Sequence, residues 1–251
     1  MTAALPMPLP GLYWDPTSPL PRGRRPKPVG MSHKEVTRAI LEAYAETLDV
    51  PLGLVLNYKK AQASNYGWPL RTPAGDQHGS LSPRSAAIFM GAVTRRLKHP
   101  EALDFDTVDP GWLGVAAGMT IGEGCLHSSK THTTGRANPT YRPKVVIGQS
   151  NRETLRVVHR ILGMDGAIHK AKTSMRTIKQ PYFIAYDGAW AVAAMAPVWR
   201  YLLHKQDQGT ALALLYLEGR FFDHPRNVGW PQQIWDIREA WRDMLMRLKK
   251  R

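Results

Sequence analysis

Cysteine occurs once in 251 residues, at Cys125. One thiol closes no internal disulfide and supplies neither a structural zinc site nor an iron–sulfur cluster, which suits a reducing compartment. Long apolar runs are also missing. The richest, 189–196, stops at Pro197, well short of the roughly 18 to 20 residues that cross a bilayer as a helix. The expectation is a soluble protein. Prolines stand where a secretory signal would place its apolar helix, so the expected location is the cytoplasm, bacterial or phage-encoded, or an organelle, and not the exterior. The chain has no Walker-type phosphate loop and no Ser/His/Asp arrangement with a recognisable elbow. Acidic residues are scarce too: 20 Asp and Glu face 34 Lys and Arg, a net charge of +14.

A positive balance of this size concentrates polyanions on the surface but does not specify a fold. Its placement is more informative. Between Cys125 and Gln180 eleven Lys and Arg face only Glu153 and Asp165, which accounts for nine of the fourteen net charges. Residues 1–30 hold eight of the twenty prolines and a basic knot of Arg22, Arg24, Arg25 and Lys27. They read as an extended arm suited to phosphate contact.

Hydrophobic spacing divides the rest. Ser32 followed by Glu35 forms a capping-box signature ahead of Val36, Ile40, Tyr44 and Leu48, which predicts a helix over 33–48. Ser82 and Pro83 open a second helix that ends near Arg95, Arg96 and Lys98. Residues 65–82, rich in Gly, Pro, Asn and Ser, predict a loop. From Gly111 the order is a small-residue helix to Gly122, strands over 125–133 and 141–149, a helix over 152–162, strands over 167–173 and 182–186, then helices. The expected fold class is α+β, an αββαββα core. Its expected boundaries are an arm at 1–30, a mostly helical extension at 31–110, the core at 111–222, and an amphipathic basic C-terminal helix at 223–251.

Within the first core helix Gly114, Gly118 and Gly122 recur at every fourth residue, so they line one face. Each glycine costs a helix about 1 kcal/mol relative to alanine, and close approach of another backbone is the physical reason to accept that cost. The partner is either a helix of the same chain or the same helix of a second copy. Glu123 ends the run, beside carbonyls that make a helix C-terminus electronegative. A carboxylate there calls for a cation. Two such helices packed ridge to ridge would bring together two Glu123 carboxylates and backbone oxygens, Gly122 among them, which is a hard oxygen environment suited to Mg²⁺. Beside a polyanion-binding surface, that arrangement fits metal-dependent phosphodiester hydrolysis.

The run 116–124, Ala-Ala-Gly-Met-Thr-Ile-Gly-Glu-Gly, with the strands and helices after it, resembles the LAGLIDADG homing endonucleases. The resemblance covers about 111–219, and the motif occurs once. It implies a homodimer with the motif helices at the two-fold axis, Gly114, Ala117, Gly118 and Ile121 at that interface, and four-stranded antiparallel sheets forming a saddle on double-stranded DNA. The run 145–155 resembles the strand and helix that supply a water-positioning glutamine, here Gln149, with Arg152 close by. The run 201–208 resembles the segment that supplies a basic catalytic residue, here Lys205. Ser128, Lys130 and His132 share one strand face by alternation. The resemblance continues that face with Arg142 and Lys144, and with either His169 or Lys170 and Lys172 according to register. Arg136, Arg152, Arg176 and Lys179 complete the expected DNA contacts. Ile121 departs from the family pattern, because it stands where the first of two acidic residues is usual.

The leading expectation is therefore a site-specific, Mg²⁺-dependent DNA endonuclease acting as a homodimer. Its alternative is a non-cleaving nucleic-acid binder on the same fold, an intron maturase or a structural RNA-binding protein. A third reading, a regulator with a helical recognition module over 31–100, lacks helix-turn-helix spacing.

Overall fold

The computed structural model describes residues 26–28, 30–70, 81–97, 109–131, 139–172, 180–220, 222 and 229–250. The chain forms β1 (Lys27–Pro28), α1 (His33–Leu48), α2 (Leu52–Leu56), α3 (Tyr58–Gln62), α4 (Pro83–Arg96), α5 (Pro110–Gly122), β2 (Gly124–Thr131) and β3 (Thr140–Gln149). It continues with α6 (Arg152–Ile161), β4 (Met164–Asp165), β5 (His169–Lys170), β6 (Tyr182–Asp187), α7 (Ala189–Met195), two 3₁₀ turns (Ala196–Tyr201, Leu203–Lys205), α8 (Gln206–Glu218) and α9 (Gln232–Leu248).

Local chemistry accounts for the starts of the main helices. At α1 the box is closed in both directions: the Ser32 N–H donates to Glu35 Oε2 at 2.7 Å and the Glu35 N–H to Ser32 Oγ at 3.3 Å. Ser82 accepts from the Ser85 N–H with Pro83 in the first turn of α4. Asp109 accepts from the Gly111 N–H with Pro110 in the first turn of α5, and Asn151 caps α6 through the Glu153 and Thr154 N–H groups.

A four-stranded antiparallel sheet has the order β2-β3-β6-β5. Leu126, Val145, Ile147, Ile184 and Tyr186 alternate onto one face and are buried, where α6, α7, α8 and α9 pack against the strands. The fold is thus α+β, with helices layered on one side of the sheet. α1 packs on α4 and α7, and α4 packs on the first 3₁₀ turn. Val36, Ile40, Phe89 and Val93 consequently join the same buried cluster as Ile147 and Ile184. α9 is fixed from two sides: the Gln233 amide donates to the Trp68 carbonyl at 3.2 Å, and the Trp241 indole donates to the buried Glu218 carboxylate at 2.8 Å.

The expected strand over 167–173 is shorter than its sequence pattern. Among its described residues, which exclude 173, only His169–Lys170 pairs with β6 as a strand, while the Ala171 N–H continues the contact by donating to the Pro181 carbonyl. A separate two-residue pairing, β1 with β4, lies outside the main sheet. Among the described residues no helix is long and apolar enough to cross a membrane.

Candidate nucleic-acid interface and motif helix

α5 has two unlike faces. Leu113, Ala116, Ala117 and Thr120, at the i, i+3, i+4, i+7 spacing of an amphipathic helix, are buried in the chain's own core. Gly114, Gly118 and Gly122 turn the other way, and a Cβ built on any of the three would meet nothing within 4 Å. Val115, 48% exposed, flanks them. No helix of the same chain therefore occupies the ridge among the described residues. Ala117, expected at the interface, belongs to the buried stripe instead, because it lies four residues after Leu113 on the face shared with Ala116 and Thr120, about 100° around the helix from Gly118. Ile121 is partly buried against the core.

The helix ends tightly. The Glu123 N–H donates to the Met119 carbonyl at 2.9 Å, and the Glu123 carbonyl accepts from the Gly148 N–H at 3.3 Å, which joins the motif to the end of β3. At Gly124 a side chain would run into the Thr120 carbonyl, so the sharp passage from helix to strand requires glycine there. The Glu123 side chain is exposed. Lys205 approaches from the second 3₁₀ turn, and its ammonium donates to the carbonyls of Thr120 (3.1 Å), Ile121 (2.6 Å) and Gly124 (2.8 Å). A lysine has three N–H donors, so all three have acceptors here. Lys205 is thus a cation seated on the C-terminus of the motif helix. Burial holds its pKa below the ordinary lysine value; neighbouring Cys125 opposes that shift and Lys249 adds to it.

Gln149 follows Gly148, so the backbone brings it beside Glu123. Its side-chain oxygen accepts from the Ser150 N–H (2.6 Å) and hydroxyl (3.0 Å). Arg152 is exposed in the first turn of α6.

The register settles which residues share a face. Because directly paired residues in adjacent strands point the same way, the open face carries Cys125, His127, Ser129 and Thr131 from β2. It also carries Thr140, Arg142, Lys144, Val146 and Gly148 from β3, Phe183, Ala185 and Asp187 from β6, and His169 from β5. Ser128 and Lys130 do not continue the face of Arg142 and Lys144. Ser128 pairs with the buried Pro143, and Lys130 pairs with the buried Tyr141. The Lys130 ammonium lies 2.6 Å from Glu239 of α9 and 5.3 Å from the centre of the Tyr141 ring. The same register places His169 on the open face, stacked on Phe183 at 5.3 Å, and turns Lys170 to the other side. Lys172 is exposed just beyond β5. His132, Arg136, Arg176 and Lys179 lie outside the described residues.

His127 and Asp187, both on the open face, were not among the expected DNA contacts. In the register they stand on either side of Lys144, and Lys144 is 3.7 Å from Asp187. Alternation from Leu126 and Tyr186 as inward residues would have found both. Burial lowers the His127 pKa, with Lys249 adding to the shift.

No family profile matches the chain, and no curated protein matches its sequence. Among solved structures, the homing endonuclease I-CvuI in complex with the I-CreI target in 2 mM Mg, its DNA not cleaved, overlays with a TM-score of 0.35 at 13% identity. That overlay covers 51% of this chain and 93% of that one. I-CvuI with its own target in 2 mM Ca gives a TM-score of 0.36 at 13% identity over 52% and 95% of the two chains. The homing endonuclease I-TnaI gives 0.31 at 15% identity over 53% and 98%. Overlays this loose assign neither an activity nor a partner to the chain.

Proposed function

We propose that the chain is a DNA endonuclease that works as a homodimer, with the α5 ridges of two copies in contact and one Glu123 from each at the shared centre. The observation that carries the reading is the bare glycine ridge, unoccupied by any helix among the described residues, which runs straight into an exposed carboxylate. A ridge that costs helix stability and packs against nothing among the described residues of its own chain has its use in a second copy. The open face of the sheet is the surface offered to DNA, with Arg142 on it and Arg152 at its end as long donors for phosphates.

The reading includes a divalent metal, and the donors fit one. Among the described residues no three His, Cys, Asp or Glu side chains cluster, so a protein cage of the zinc kind is absent there. Mg²⁺ asks for less: one or two carboxylates, with water and substrate phosphate completing the shell. Glu123 and the Gly122 carbonyl would hold it. When bound, such an ion polarises a phosphate and eases formation of hydroxide from water. Gln149 is the side chain nearest in sequence to the Glu123–Gly148 junction that can orient a water, through an amide that now accepts from Ser150. Lys205 holds the helix end and keeps the Glu123 backbone in place.

A second reading, a non-cleaving nucleic-acid binder, is favoured by that same lysine. With its three donors engaged by carbonyls, Lys205 has none left for a scissile phosphate. Incubating the protein with DNA spanning its gene's insertion site, with and without Mg²⁺, tests the proposal. Mg²⁺-dependent double-strand cleavage at one site supports it. Tight binding without cleavage under any divalent ion supports the second reading.

A further inference from the structure

Asp187 is the one carboxylate that the four strands turn to the open face among the described residues. A carboxylate on a surface that meets phosphates weakens every encounter with nucleic acid, so its presence there needs a reason. Fold stability is a poor one. Lys144 and Asp187 are each about a third exposed and stand 3.7 Å apart, an ion pair beyond hydrogen-bonding distance, and exposed pairs contribute only about 0 to 1 kcal/mol.

Placement gives a better reason. Lys144 and Asp187 are directly opposite in register on β3 and β6, the two central strands, so a donor and an acceptor stand side by side on the surface. The major-groove edge of a G·C pair offers the complementary pattern: guanine N7 and O6 accept, and the cytosine N4 amine donates. We infer that Lys144 and Asp187 together read one G·C pair in each half of the bound duplex, Lys144 on the guanine and Asp187 on the cytosine. Asp187 then makes the face selective as well as adhesive. If the cytosine were replaced by thymine or guanine, an acceptor would face the carboxylate, an unfavourable meeting that works by exclusion. The pair is also neutral as a unit, so Lys144 adds little to general phosphate affinity, unlike Arg142 in the next pairing of the same face.

This inference rests on the reading that the open face takes duplex DNA, and the experiment separates the two. Wild type, Asp187→Ala, Asp187→Asn and the double variant Lys144→Ala with Asp187→Ala are each selected on a pool of random duplexes, and titrated against one mixed-sequence duplex at several salt concentrations. Wild type is expected to enrich G·C at one position per half-site. Asp187→Ala loses that preference, about tenfold per half-site. It simultaneously binds the mixed duplex more tightly, with a log–log salt slope steeper by about 0.9 per protomer, because Lys144 is released to phosphates. Asp187→Asn shifts the preference toward adenine. The double variant loses the same position and returns to the wild-type slope. An unchanged base preference in Asp187→Ala overturns the inference while leaving the endonuclease reading intact. So does a joint loss of preference, affinity and melting temperature, since that pattern marks a structural ion pair. A wild type that binds no duplex overturns the endonuclease reading and this inference with it.

Discussion

Lys130 and Lys144 sit on adjacent strands, and the family resemblance grouped both with the expected DNA contacts. The structure separates them. Lys130 is on the covered side of the sheet, held by Glu239 and the Tyr141 ring, and it fastens α9 to the edge strand. Lys144 is on the open side, with Asp187 as its cross-strand neighbour. The basic residues of one stretch thus divide between structure and surface, and register decides the division where composition does not. On this view, changes on the open side should cost function and leave folding intact, and changes on the covered side should do the reverse.

The sharpest test on the open side is Glu123→Gln. Cleavage should fall by about a thousandfold or more, the loss of several kcal/mol of metal-borne stabilisation, while duplex affinity and melting temperature stay near wild type. Retained cleavage would remove Glu123 from the chemistry. The covered side makes a prediction of similar size for stability. His159 is buried on α6, with its Nδ1 2.9 Å from the Tyr186 hydroxyl, and burial pushes its pKa down from an ordinary 6.5 to about 4. The folded state therefore binds fewer protons than the unfolded one between those values, so stability is full above pH 6.5 and declines as the pH falls toward 4, by about 3 kcal/mol. Denaturant melts of wild type and His159→Gln across that range check it: the variant should lose most of the slope. A matching slope would trace the acid sensitivity to other groups.

Gly118→Leu comes next. A Cβ there meets nothing within 4 Å among the described residues, so the monomer should fold normally while dimerisation of the proposed dimer weakens by about a hundredfold or more. Sedimentation at graded concentrations reads this, and an unaffected dimer would move the interface elsewhere. The smallest effects concern Arg142 on the open face and Lys130 on the covered one. Arg142→Ala should flatten the log–log salt slope of DNA binding by about 0.9 per protomer. Lys130→Ala should leave that slope alone and lower unfolding free energy by about 1 kcal/mol, through loss of a partly exposed pair. An equal effect of both on the salt slope would break the division between the faces.

Much of the fold was legible because its signals are local. The helix at 33–48 was readable from Ser32 and Glu35, and β3 from its alternating Val145 and Ile147. β5 was overestimated because a pattern of alternation persists where the partner strand begins only at Tyr182. α2, α3 and the pairing of β1 with β4 were not anticipated. The first two are five-residue helices, too short to carry a period, and the third depends on residues more than a hundred positions apart. In the site, the glycine ridge and Glu123 could be read from spacing alone. Lys205 could be named, but its partners could not, since they are backbone carbonyls brought to it by folding. The burial of Ala117 and the opposite facing of Lys130 likewise depend on rotation and register, which one strand or helix does not fix by itself.

The seat of Lys205 on the motif helix also bears on how the protein responds to chelators. Many metalloproteins use the ion as part of the folded scaffold, so that stripping it unfolds them. Here the carbonyls of Thr120, Ile121 and Gly124 already have an internal ammonium, and the helix end is electrically satisfied before any divalent ion arrives. On the proposed function, the fold therefore does not depend on metal loading. EDTA should lower the melting temperature by no more than the mass-action contribution of the released ion, and the metal-free protein should stay folded.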